Sequence, residues 1–147
     1  MLVFSRILVP LDHSGASAAA LALVRTNFPG GKLRLLHVLD PSQLAGAITS
    51  TVSPDAQREE VEQRAAARLA HLRVEADEFV VRVGKPAEVI VTEAEQWQAD
   101  LIAMGTHGRT GFDHFLHGSV AEHVVRRSRL PVLIEHENTA NDNAARV

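Results

Sequence analysis

Five short aliphatic runs, each separated from the next by a segment with helical spacing, constrain this chain more than any other feature. The runs are Phe4–Leu11 (FSRILVPL), Lys32–Leu39 (KLRLLHVL), Glu78–Val83 (EFVVRV), Ala99–Met104 (ADLIAM) and Pro131–Glu135 (PVLIE). Short runs of this kind mark strands buried on both faces, as parallel strands are. Between them, apolar residues recur at helical intervals. Ala16–Asn27 repeats Ala16, Ala20, Leu23 and Val24; Asp55–Arg73 repeats Val61, Ala65, Leu69 and Leu72; Ala87–Gln98 repeats Ile90, Ala94 and Trp97; Val120–Arg127 is the fourth helical segment. The boundaries carry their own chemistry. Ser14 suits an N-cap, Pro29-Gly30-Gly31 stops the first helix, and Pro86 suits a first helical position. Arg126 and Arg127 complement a C-terminal helix dipole. Asp40–Pro54 has two prolines and no firm period, and is expected to be a mobile connection with a short helical turn.

Strands alternating with helices imply a three-layer α/β/α fold around a five-stranded parallel sheet, Rossmann-like in plan. Right-handed crossovers leave few topologies. Ligands in such sheets sit at the carboxyl ends of the strands, where the strand order reverses. The order 3-2-1-4-5 places the end of the first strand, Pro10–Asp12, beside the end of the fourth. Composition agrees, because aromatics make up only 4% of the 147 residues and the core must be aliphatic. That length fits one domain over 1–136, with 137–147 a flexible C-terminal tail rich in Asn and Ala.

What leaves the fourth strand is the second constraint. Met104–Ser119 reads MGTHGRTGFDHFLHGS and leads into the Val120–Arg127 helix. A strand that empties into a glycine-rich loop opening a helix is a construction for holding phosphate. Glycines let backbone N–H groups approach an anion, and the helix start adds unpaired donors. Plainer roles stand beside this one. Gly105 and Gly108 could be turn glycines; Ser119 with Glu122 spells a capping box; Asp12 could cap a helix. His107, His114 and His117 invite a metal reading, but they lie in a loop and no carboxylate pair completes a shell. Trp97 is expected in the core, and the charges of Gln57–Arg73 on a solvated helix face.

Three pieces of the chain resemble the universal stress protein family, in particular its ATP-binding branch. They are ILVPLDHSGAS, LRLLHVLD and ADLIAMGTHGRTGFDHFLHGSVAEHVVRRSRLPVLI. The family's pattern G-x2-G-x9-G-[S/T] is met in full by Gly105, Gly108, Gly118 and Ser119. The resemblance implies an adenine nucleotide alpha hydrolase-like sheet and a set of nucleotide contacts. Pro10 and Leu11 would floor the base pocket and Asp12 would meet the ribose or adenine. Val38 would line the adenine, with Met104 nearby. Gly105, Thr106, His107, Gly108, Arg109, Thr110 and Gly111, then Gly118, Ser119 and Val120, would wrap the ribose and phosphates. Arg109 would add charge, and Mg2+ or Mn2+ could accompany ATP through its phosphates. His13 departs from the family's usual small residue after the aspartate and would crowd the pocket rim.

Chemistry beyond binding finds little support. There is no G-x-x-x-x-G-K-[ST], and no Ser-His-Asp or metal-water arrangement follows from spacing. No catalytic residue or protein metal ligand is expected. The chain is therefore expected to act in stress response or signalling as a nucleotide-dependent switch or interaction module. The alternatives are a weak ATPase or nucleotide-dependent transferase, and a dimerisation module without nucleotide. A net charge of −3 disfavours broad nucleic-acid binding. No cysteine is present, no apolar stretch reaches a membrane span, and no small-residue cleavage pattern follows the N-terminus, so a cytoplasmic protein is expected. The apolar Pro131–Glu135 run would end the sheet and invite a homodimer by edge pairing, and an unknown protein partner is compatible with the switch.

Overall fold

The computed structural model describes residues 3–44, 53–106 and 120–136. Five parallel strands, β1 (Arg6–Pro10), β2 (Lys32–Leu39), β3 (Glu78–Val83), β4 (Leu101–Thr106) and β5 (Val132–His136), form one sheet in the order β3-β2-β1-β4-β5. The helices are α1 (Gly15–Asn27), the single turn α2 (Pro41–Leu44), α3 (Pro54–Leu69), α4 (Pro86–Gln96) and α5 (Val120–Arg127). Fold class and strand order are those expected.

Side chains alternate across the sheet and build two cores. Ile7, Val9, Leu33, Leu35, Leu101 and Ala103 pack with Leu21 and Val24 of α1 and Leu69 of α3. Leu8, Leu36, Ile102 and Met104 pack with Ile90 and Ala94 of α4 and Ala121 and Val124 of α5. Each fully buried Leu, Ile or Val contributes about 1.5–3 kcal/mol relative to exposure. This is why the strands are apolar on both faces while the helices are apolar on one.

Several boundaries differ from the sequence expectation, each for a local reason. The α3 helix stops at Leu69 and tightens into a 3-10 turn over Ala70–Leu72, where Arg73 N donates to Ala70 O. Gly105 and Thr106 belong to β4, not to the loop after it, because they pair with Glu135 and His136. The same pairing draws His136 into β5. Pro131 precedes that strand and accepts a bond from Ile102 N at 3.1 Å. The 45–52, 107–119 and 137–147 segments, including the expected tail, lie outside the described residues.

The amino edge of the sheet is held by charge. The Asp100 carboxylate accepts from Ser5 N and Oγ at 2.8 Å each and from Arg6 N at 3.0 Å. Burial pushes its pKa up, but the bonds from Ser5 and Arg6 outweigh burial and hold it below the ordinary value. On the α4 face, buried Glu93 accepts from Arg34 at 2.8 Å and Arg82 at 3.1 Å. Glu78 takes Lys32 and Arg34, each at 2.6 Å, and these two bonds hold its carboxyl at about 2. Trp97 is in the core as expected, with the guanidinium carbons of Arg6 and Arg34 at 4.6 and 4.8 Å from its ring centroid. After α4 the chain reverses through Gln98 at φ 57, with Ala99 N donating to Ala94 O and Gln98 N to Glu95 O. That pair of bonds is a Schellman closure, and it aims the chain into β4.

Candidate functional site

At the opposite, carboxyl edge of the sheet, β1 and β4 lie side by side and their outgoing chains part. A cavity of about 890 Å³ opens there. Of the residues expected at a site, Pro10, Leu11, Asp12, Val38, Met104, Gly105, Thr106 and Val120 all line it. His107, Gly108, Arg109, Thr110, Gly111, Gly118 and Ser119 lie outside the described residues. The chain leaves the cavity wall at Thr106 and is next described at Val120, itself on the wall. Both ends of the glycine segment are therefore at this cavity.

The cavity has two unlike halves because it straddles the sheet edge. Over the α4–α5 face it is apolar, with Val38, Met104, Pro86, Ile90, Val120 and Ala121. Over the α1–α3 face it is polar and basic, with His13, Ser17, His37, Arg64 and Arg68 beside Val61 and Ala65. Of this second half, only His13 was legible beforehand, as a residue crowding the pocket rim. Arg64 and Arg68 are solvent-exposed on α3, as expected of its charged face, and they also line the cavity wall. The available signal was their position three and seven residues after Val61, next to the apolar stripe.

Local chemistry shapes the rim. Asp12 Oδ1 accepts from Ser14 N at 3.0 Å and from Ser14 Oγ. Ser14 Oγ in turn caps α1 by accepting from Ser17 N at 3.1 Å, and Asp12 N donates to Ser17 Oγ at 3.3 Å. Asp12 thus buttresses the helix cap while its side chain stays exposed at the cavity. It is a turn residue supporting the cap, and the N-cap itself is Ser14. Between Asp12 and Ser14, His13 holds φ 69, a conformation uncommon for any residue but Gly. Its ring packs at 4.7 Å, centroid to centroid, against His37, which is buried and donates Nδ1–H to Leu11 O at 2.6 Å.

Gly105 plays a part that its motif does not announce. A Cβ there would lie 2.3 Å from the carbonyl carbon of Ala16, 2.4 Å from its oxygen and 2.5 Å from Ser17 N. The glycine lets β4 pass against the first turn of α1, as helix–strand packing glycines do in nucleotide-binding sheets. At α5, Glu122 is buried and pairs with Arg126 at 2.8 Å; its capping partner Ser119 lies outside the described residues. Among the described residues no group of three or more His, Asp or Glu could hold a metal ion, and no helix is long and apolar enough to cross a membrane.

Comparison with known proteins gives one family. The model of the universal stress protein family matches residues 4–136. Universal stress protein MJ0531 of Methanocaldococcus jannaschii is 32% identical over 90% of this chain and 82% of its own length. The solved structure of MJ0577, from the same organism, superposes with a TM-score of 0.74 at 28% identity, covering 94% of this chain and 99% of that one. A universal stress protein family protein of Arabidopsis thaliana, solved with AMP bound, shares the fold at a TM-score of 0.59 and 18% identity over 92% and 94% of the two chains.

Proposed function

This chain belongs to the universal stress protein family, and from that premise we propose that it binds ATP or a close adenine nucleotide in the carboxyl-edge cavity, as a ligand-controlled switch or interaction module in stress response. One observation carries the proposal: the apolar half of the cavity adjoins both ends of a complete G-x2-G-x9-G-S segment. A purine needs an apolar slot, here Val38 and Met104, and its phosphates need backbone N–H donors, which Gly108–Gly111 and Gly118–Val120 would supply. Asp12 would accept from a ribose hydroxyl. Any Mg2+ or Mn2+ would be held through the phosphates. The AMP seen in the Arabidopsis relative supports the adenine assignment.

Heat denaturation of the purified protein, with mass identification of released small molecules, tests the reading. An adenine nucleotide is expected, and ATP should survive prolonged incubation. Conversion to ADP would favour the slow-ATPase alternative, and release of a guanine nucleotide would overturn the adenine assignment.

The same reading includes a homodimer through β5. It ends the sheet order, and Val132, Leu133 and Ile134 are only half-buried in the single chain. Two copies would pair these edges antiparallel about a twofold axis. Light scattering should give twice the 16.0 kDa chain mass at micromolar concentration; the single-chain mass would exclude the dimer.

A further inference from the structure

The adenine slot and the glycine segment leave the basic half of the cavity without a role. Three groups converge on it from three elements: His13 from the turn before α1, His37 from β2, and Arg68 from α3. Arg64, one turn earlier on α3, is held by Glu60 at 2.5 Å. Arg68 has no ion-pair partner among the described residues. The two carboxylates on the same wall are taken up by their own turns. Asp12 holds Ser14, and Asp40 accepts from Ser42 N at 2.9 Å and Ser42 Oγ at 2.7 Å. A bulky, titratable side chain at φ 69 is strained where Gly would not be, and strain kept at a cavity rim points to use.

We propose that this half of the cavity is a second anion subsite, formed by His13, His37 and Arg68, that takes a phosphate carried on the 2′ or 3′ oxygen of an adenosine nucleotide's ribose. The inference rests on the nucleotide reading above, because the placement follows from Asp12. If Asp12 meets the ribose hydroxyls, the neighbouring His13 and the facing Arg68 meet whatever is attached to them. A lone acidic residue at a ribose marks a free hydroxyl, whereas an arginine beside it accommodates a phosphate. The field at His13 has the sign this requires. Burial lowers its pKa most, and then His37 and Arg68 each lower it more than Asp12 raises it. A phosphate dianion placed there would gain charge-assisted bonds from the Arg68 guanidinium and would draw a proton onto the neighbouring imidazole of His13, turning it into a second donor.

Calorimetric titration of wild-type protein with AMP, adenosine 2′,5′-bisphosphate and adenosine 3′,5′-bisphosphate tests the proposal. At least one bisphosphate should bind about tenfold or more tightly than AMP, the effect of one hydrogen bond to a charged group. Whichever isomer shows the gain identifies the oxygen. In Arg68→Gln and His13→Gly the preference should fall to near parity, with AMP affinity retained. Gly suits φ 69, so His13→Gly should keep its melting temperature, and His13→Asn, which also tolerates that backbone, supplies a second check. AMP binding equal to or tighter than both bisphosphates in wild type would overturn the subsite and leave the nucleotide reading standing. Absence of binding by AMP, ATP and both bisphosphates would overturn both.

Discussion

Gly105→Ala is expected to cost about 3 kcal/mol or more of folding stability, at or beyond the upper end of ordinary overpacking. The added methyl would sit 2.3–2.5 Å from backbone atoms of Ala16 and Ser17, with no flexible side chain to yield. Either β4 or the first turn of α1 must move. Ser17 also holds Asp12 N and the Ser14 cap, so the displacement would reach the cavity rim. Urea unfolding of the variant measures the cost. Gly30→Ala, whose added Cβ would meet nothing within 4 Å, is the control and should stay within about 0.5 kcal/mol. A Gly105→Ala protein as stable as that control would show that the strand does not pass the helix this closely.

Glu93→Ala should be nearly as damaging, at about 3 kcal/mol, because it removes a buried carboxylate that two guanidiniums share, one of them mostly buried. Glu93 is buried on α4 and joins Arg34 of β2 to Arg82 of β3. Arg34 keeps Glu78 and the Trp97 face, and Arg82 is half exposed, which holds the cost to the lower end of the range for a broken buried pair. The contrast is Glu60→Ala on α3, where an exposed i,i+4 pair is worth about 0.5 kcal/mol. Equal losses in the two variants, read from the same urea transitions, would refute the idea that the α4 network is a buried anchor.

The sheet was legible because each strand carries apolar residues toward both cores: Leu8 and Ile102 serve one face, Ile7 and Leu101 the other. The reversal between β1 and β4 then placed Pro10–Asp12 next to Met104–Thr106, and these residues do share a cavity. What stayed hidden depends on tertiary placement. Arg68 sits at the border of an amphipathic stripe, and only the placement of α3 against the sheet edge puts this exposed side chain on the cavity wall. His37 lies inside an apolar strand, and its partner Leu11 O is 26 residues away in sequence. Gly105 was noticed for its motif, but its crowding against Ala16 needed the α1 position.

Binding of an adenine nucleotide at the cavity, through the glycine segment, is the central claim, and calorimetric titration with ATP and GTP tests it most directly. Wild-type protein should give a saturable heat with ATP and a weaker one with GTP. Gly118→Val, whose side chain would occupy the proposed phosphate position, should give none with ATP while keeping the wild-type melting temperature. Equal ATP affinity in wild type and Gly118→Val, or no ATP binding by nucleotide-free wild-type protein, would contradict it.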